Sequence, residues 1–198
     1  MEKRHNAASE QTERALASAL KTLMAQKPID KITIRELAEL SGIRRQNFYY
    51  HFDDIYDLMC WMFREEAISL IRERDGELLW QDGLLQLFRY IEDNRAVCLC
   101  ARNSIGRDSL KKFFEMDVYT VIHDAVERIG IDIGVFKAPG GVADVEMMTQ
   151  YYVIATAGII ESWLIGELDK TPEEIVAFLD QTINDHIRGA FIRIHGGK

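Results

Sequence analysis

The stretch Thr33–Phe52, TIRELAELSGIRRQNFYYHF, constrains the fold of this chain more than any other part of it. Thr33 and Glu36 form a T-x-x-E capping box, in which the threonine oxygen and the glutamate carboxylate each take up an amide left unpaired at a helix start. Ile32 before the cap and Leu37 at the fourth helical position provide the apolar staple that accompanies such a box. Ser41-Gly42 then ends a short helix, because glycine accepts the left-handed backbone that a tight exit requires. A second short helix is predicted from about Arg44. Two short helices across a glycine-containing turn are the outline of a helix-turn-helix.

The second helix has the pattern of a recognition element. With about 100° of rotation per residue, Phe48, Phe52, Arg44 and His51 fall on or beside one face. Gln46 and Tyr50 point the opposite way, Arg45 and Tyr49 lie on one flank, and Asn47 lies on the other. Phe48 and Phe52 are expected to pack inward and leave a hydrogen-bonding face outside. Arginine reads guanine, glutamine and asparagine read adenine, and tyrosine hydroxyls reach phosphates. Arg44 and Arg45 also sit at a helix N-terminus, where cations oppose the helix dipole, a placement that a purely structural helix seldom uses. The candidate DNA-contacting residues are therefore Thr33, Arg44, Arg45, Gln46, Asn47, Tyr49, Tyr50 and His51.

These residues resemble the signature of the tetracycline-repressor-like (TetR) transcriptional regulators. Its parts are a short capped helix, a small-Gly-aliphatic turn (Ser41-Gly42-Ile43) and an aromatic-rich end to the recognition helix (Phe48-Tyr49-Tyr50-His51-Phe52), with Asp53-Asp54 opening the next helix. The likeness spans roughly Thr12 to Leu58. The run RRQNFYYHF followed by DIYDL is further similar to a subgroup labelled dihydroxyacetone-kinase regulators. The resemblance implies an all-helical regulatory domain after the head, a homodimer, a double-stranded DNA operator and no cofactor. It implies repression relieved by a small molecule as the commoner habit, with a partner protein as the alternative effector. Two positions depart from the pattern. Arg44 replaces the small hydroxyl that caps the recognition helix and cannot accept an amide hydrogen bond. Ile55 replaces a lysine that meets a phosphate, which leaves Arg44 as a candidate to supply that charge.

The net charge of −8 over 198 residues looks wrong for a DNA binder until it is divided. Residues 1–55 carry nine Lys and Arg against eight Asp and Glu, a balance of +1, and the remainder carries −9. An acidic body repelled by phosphate and a tolerated head would orient the molecule on DNA. Hydrophobic content of 47% and charged content of 28% are those of a globular chain. No apolar run is long enough to span a bilayer and no signal-peptide pattern opens the chain, so the expected location is the cytoplasm, with no membrane partner. Three cysteines, Cys60, Cys98 and Cys100, argue against a disulfide framework. Cys98-x-Cys100 is not a zinc spacing, so all three are expected as small core residues and no metal is expected.

Along the chain, helix 1 is predicted from about Ser9 to Gln26, with Leu16, Ala19, Leu20 and Leu23 covering the inner face of the helix-turn-helix. Lys3 and Arg4 precede it in a polar tail. A helix from Asp53 or Asp54 to about Arg74 follows, capped by aspartate and stopped before Gly76, and long enough to join head to body. Trp61 within it is read as core. Further helices are expected near Asp82–Glu92, Arg95–Arg102, Asp108–Ile129 and Asp144–Ile165, with the longest loop at Gly130–Ala143. His123 reads as an ordinary helical histidine. Residues from Tyr151 onward are apolar nearly all round, and Ala155, Ala157 and Gly158 permit a close helix approach. Thr171-Pro172-Glu173-Glu174 is a second capping box, opening a helix with Ile175, Leu179, Ile183, Ile187, Ala190 and Ile194 on one stripe. These last two helices are expected to form a self-complementary four-helix interface between two copies.

The sequence thus predicts an all-α chain. Residues 1–53 form a three-helix helix-turn-helix DNA-binding domain, and 54–198 a helical effector-binding and dimerisation domain with pocket residues undefined. The function class is a sequence-specific DNA-binding transcriptional regulator. Against an enzyme, the chain lacks H-E-x-x-H, a P-loop, G-x-G-x-x-G and G-x-S-x-G. A helical adaptor whose head binds protein is the remaining rival.

Overall fold

Each described element of the chain is helical. A computed structural model describes residues 7–69, 80–105, 119, 122–124, 126–128, 131 and 145–195. Helix α1 (Ala7–Met24) buries Leu16, Ala17, Ala19, Leu20 and Met24, while Leu23 is only half-buried. It stops short of Gln26, and a 3-10 turn (Ile29–Lys31) after Pro28 leads to α2 (Ile34–Ser41). The expected box closes α2 at its start: Thr33 Oγ1 accepts from the Glu36 amide, and the Glu36 carboxylate accepts from the Thr33 amide. Gly42 ends it at φ 72°, ψ 9°, a left-handed conformation that a side chain would strain.

The short α3 (Arg45–His51) and α4 (Ile55–Phe63) follow. Asp54 caps α4 by accepting from the Asp57 amide at 2.8 Å. After Phe63 the helix does not continue as a uniform α-helix, as its apolar spacing had suggested. Arg64–Ile68 forms a π-helical turn, an inserted-residue geometry that apolar periodicity does not disclose. The expected end of this helix near Arg74 and Gly76 lies outside the described residues, as do Lys3, Arg4 and most of the Asp108–Ile129 and Gly130–Ala143 segments.

The later helices are α5 (Trp80–Asp93), α6 (Arg95–Ile105), α7 (Val145–Leu164) and α8 (Pro172–His195). The second capping box is present, with the Thr171 amide donating to Glu174 Oε2 at 3.0 Å and the Glu174 amide to Thr171 Oγ1 at 3.2 Å. Gly166, at φ 82°, turns the chain between α7 and α8.

The chain packs as two compact units, the first within Met1–Ala67 and Asn94–Leu110, the second within Ile68–Asp93 and Lys111–Lys198. In the first, α1 lies against α2, α4 and α6, and α2 lies against α3. Its centre is Leu16, Leu20, Leu37, Phe48, Leu58, Met59 and Met62. The packing therefore joins α4 and α6 to the three-helix head, so the compact unit extends past residue 53. In the second unit α5 packs against α7 and α8. Phe88 and Trp163 meet edge to face at 5.1 Å, and the Trp163 indole donates to the Lys170 carbonyl at 2.9 Å.

Two side-chain expectations change here. Ile175, Leu179, Ile183 and Ile187 are buried within the chain's own second unit, so this stripe of α8 is not available to a second copy. Ile183 itself is 3% exposed. The exposed apolar residues of these helices are others: Met147, Tyr151 and Ile154 on α7, Phe178 and Ile192 on α8. Trp61 is half-buried rather than core, with its ring against Phe52. The three cysteines form no disulfide; Cys98 is buried, which pushes its thiol up to about 12, as suits a small core residue, whereas Cys60 and Cys100 are half-buried.

The buried stripe of α8 makes the first prediction. Ile183→Ala removes methyl groups from a close-packed core and is expected to cost about 2–5 kcal/mol of stability. Thermal melting with oligomeric state followed in parallel checks it, because loss of the fold, not clean dissociation, is expected.

Candidate nucleic-acid interface

The recognition helix is built from a single buried face and an open one. Phe48 is buried on α3, and Phe52, the residue that ends the helix, is buried beside it with ring centroids 5.9 Å apart. Phe52 continues into α4 through an edge contact with Trp61 at 5.8 Å, and its amide donates to the Phe48 carbonyl at 2.9 Å. The rest of the segment is presented to solvent, Arg44 included, although rotation places it beside Phe48. Arg44, Arg45, Gln46, Asn47, Tyr49 and Tyr50 are all exposed, Tyr50 to 75%. Six of the eight predicted contact residues thus lie on one short segment and its lead-in.

Among the described residues, the side chains of Arg44, Arg45, Gln46 and Asn47 have no hydrogen-bond or ion-pair partner within the chain. Their donors are free for a ligand. Arg44 occupies the capping position with extended backbone and makes no side-chain cap, as expected for a residue with no acceptor. The local fold therefore keeps α3 without a cap, which costs roughly 0.5–2 kcal/mol relative to a hydroxyl there. Ile55, in place of the phosphate-meeting lysine, is half-buried at the first position of α4.

Thr33 and His51 sit differently from the other six. The Thr33 hydroxyl donates to Glu36 Oε2 at 2.9 Å while accepting from the Glu36 amide, so it is committed to the cap of α2. Lys27 adds an ion pair to the same carboxylate. Hydrogen bonds from Lys27, then from the Thr33 amide and hydroxyl, hold the Glu36 carboxyl down to about 2, so it remains charged and the box complete through the ordinary carboxylate range. His51 turns into the head. Its Nδ1 lies 3.1 Å from Glu13 Oε1 and 3.4 Å from Ser9 Oγ, and the His51 and Glu13 side chains are 10% and 7% exposed. The helical rotation had placed His51 beside the buried face, and the structure puts it there, which removes it from the open face.

Glu13 is the residue that reading the sequence missed. It is the one charged residue among the buried side chains described. The signal was available, since Glu13 precedes Leu16, Ala17 and Leu20 at helical spacing and so sits on the apolar stripe of α1. As for metals, His123, Asp124 and Glu127 bring ligand-type atoms within 4.8 Å of one another. Two of the three are exposed, and His123 is otherwise stacked on Tyr119 at 5.8 Å, so the group supports no assignment.

Comparison with known proteins agrees with this geometry. Residues 16–59 match the family described as bacterial regulatory proteins, tetR family, and residues 79–185 match the family described as transcriptional regulator C-terminal region. The chain is 32% identical over 84 residues to the HTH-type dhaKLM operon transcriptional activator DhaS of Lactococcus lactis subsp. lactis (strain IL1403), covering 42% of this chain. That match spans 45% of the curated relative's length. The fold is similar to a solved structure of a dihydroxyacetone kinase operon activator DhaS, at TM-score 0.70 and 23% identity over 89% of this chain and 96% of that one. A TetR-family transcriptional regulator from Rhodococcus sp. superposes at TM-score 0.55 and 16% identity, over 93% of this chain and 98% of that one. With both its helix-turn-helix and its C-terminal region matched, the chain belongs to the TetR family of DNA-binding transcriptional regulators.

Proposed function

We propose that this chain is a homodimeric regulator that reads a specific DNA operator with α3 and answers to an effector bound in its helical body. The observation that carries this reading is the open face of α3. A row of exposed, unpartnered Arg, Gln and Asn donors surrounds buried Phe48 on its flanks and far side, on a helix held in place by a capped helix-turn-helix. Arg45, Gln46 and Asn47 are assigned to base edges in the major groove, and Arg44, Tyr49 and Tyr50 to phosphates and the groove wall. Residues 1–53 act as the DNA-binding domain and 54–198 as the effector-binding and dimerisation domain. A regulator of this kind works where the chromosome is, which in a bacterium is the cytoplasm.

The dimer is assigned to α7 and α8 through faces other than the buried stripe of α8. Met147, Tyr151, Ile154 and Gly158 are exposed and succeed one another at helical spacing along one side of α7. A side chain added at Gly158 would meet nothing within 4 Å, so a partner helix could approach closely there. Phe178 and Ile192 add exposed apolar surface on α8. A row of exposed apolar residues at helical spacing suits an interface, and a second copy would offer the same surface on both sides. Two heads would then address major grooves about 34–36 Å apart, or a multiple of that.

The relatives are named as activators of a dihydroxyacetone kinase operon, whereas repression is the commoner family habit. We assign operator control with repression as the default sign. Transcription from a retained promoter fragment, with and without the protein, decides the sign.

Gln46→Ala and Arg45→Ala should each relax sequence preference at a cost of about 1–3 kcal/mol on the preferred DNA. Tyr49→Phe should weaken all sequences alike. Binding to a selected duplex and to its scrambled counterpart checks this, and equal losses on both for Gln46 and Arg45 would remove their base-reading role. Wild-type affinity should also fall steeply with salt, which an adaptor binding protein would not show on DNA.

Phe178→Asp should leave the monomer folded, since this side chain is 61% exposed, and should dissociate the dimer. Sedimentation of wild type and variant at micromolar concentration is the measurement. A monomeric wild type would sink the dimer assignment.

Phe52→Ala addresses the switch. Phe52 touches Phe48 on one side and Trp61 on the other, so displacement of α4 should reach α3 through it. The variant is expected to lose DNA affinity and effector response while the body stays folded, with about 3–5 kcal/mol lost from the head. Melting of full-length wild type and variant beside their DNA binding distinguishes uncoupling from unfolding, and wild-type affinity with an intact response would exclude this route.

A further inference from the structure

The DNA-reading assignment leaves the Glu13–His51 pair unused. A buried carboxylate is costly unless it is paired and hydrogen-bonded. Here Glu13 Oε1 faces His51 Nδ1 at 3.1 Å, and Ser9 Oγ lies 3.5 Å from that carboxylate oxygen and 3.4 Å from that nitrogen. Three side chains from two helices meet at one point, at the last residue of α3. A ring protonated on Nδ1 donates to the carboxylate whether it is neutral or charged.

The other anchors of α3 are apolar. Phe48 and Phe52 hold the helix against the head, but apolar contact is non-directional and tolerates small rotations. A hydrogen bond weakens steeply as its angle departs from linear. His51 also carries the edge of the exposed Tyr50 ring, with centroids 5.3 Å apart. A line of contact thus runs from Glu13 in α1, through His51, to a tyrosine on the face opposite Phe48.

We propose that Glu13 and His51 are positioning residues that fix the roll of the recognition helix on α1, and through it the sequence discrimination of the head. The inference rests on the DNA-reading assignment above. Rotation of a helix by one small step moves every base-contacting group together. Loss of the pair should therefore cost discrimination between sequences more than affinity for DNA in general. Glu13 touches no base in this scheme. It acts through His51.

The test uses the full chain and a pool of random-sequence DNA duplexes, with recovered sequences counted for each protein. Glu13→Leu combined with His51→Leu replaces the pair by apolar groups, a change that is often neutral or stabilising in buried sites. The double variant is expected to fold, to bind total DNA within a few-fold of wild type, and to enrich the wild-type sequence roughly tenfold less, about the discrimination of one base contact. Glu13→Gln keeps an acceptor for His51 Nδ1 and should restore the wild-type enrichment. A purely structural pair would move melting temperature and total binding without moving enrichment. Wild-type enrichment in the double variant, or no rescue by Glu13→Gln, overturns the positioning role. Should the double variant fail to fold, Glu13→Ala decides the matter, with unchanged enrichment again overturning it. If the wild-type protein itself enriches no sequence, the DNA-reading assignment fails first, and that outcome is distinct from the others.

Discussion

The head depends on the burial of Phe48, on a helix that packs against α2. Helix α3 spans Arg45–His51, far below the roughly 12–15 residues at which an isolated helix becomes even marginal in water. It carries no side-chain cap and begins with two arginines that oppose its dipole. Nothing local holds it in shape. Its conformation is borrowed from tertiary contact, with Phe48 and Phe52 each worth about 1.5–3 kcal/mol of apolar burial. The capped α2 and left-handed Gly42 then set where that contact begins. This order of dependence frees the outer face of α3, because no residue on it is needed to keep the helix folded.

The same reasoning separates what holds the helix from what aims it. Exposed ion pairs such as Arg35–Glu39 are screened by solvent and are too weak to decide the fold of the head. The buried Glu13–His51 pair is a weak source of net stability for a different reason, since desolvation offsets its attraction. Its value lies in direction. Apolar rings supply most of the free energy, and a small polar cluster supplies the angle at which that free energy is spent.

How much of this was legible in the sequence follows from which forces are local. Both capping boxes, the turn at Gly42, the ending of α3 at Phe52 and the cap at Asp54 are set by residues within four positions of one another, and each could be read directly. The inward turn of His51 was legible as a rotation angle, but its partner was not, because Glu13 lies on another helix 38 positions away. The stripe on α8 shows the limit most clearly. Periodicity marked Ile175, Leu179, Ile183 and Ile187 as buried, and they are, but a period carries no information about which surface does the covering. It was assigned to a second copy where α5 and the rest of the same unit already supply it. The π-helical turn at Arg64–Ile68 was invisible for a related reason: its register depends on packing on both sides, and Lys21 of α1 pairs with Glu66 inside it.

Net charge was the most misleading summary of the sequence, and the structure shows why. The first 55 residues carry only +1, a small attraction for a phosphate backbone. The cations are not equivalent, however. Arg14 pairs with Glu10, Lys21 with Glu66, Lys27 with Glu36, Lys31 with Asp30 and Arg35 with Glu39. Each pair looks nearly neutral beyond a Debye length of about 8 Å at physiological salt. Arg44 and Arg45 have no such partner among the described residues. Among the described residues of the head, unpaired positive charge is therefore concentrated at the start of α3. Among the described residues, pairing leaves Arg44 and Arg45 uncompensated at the lead-in to one exposed helix, and this is the face that the proposed reading presents to DNA.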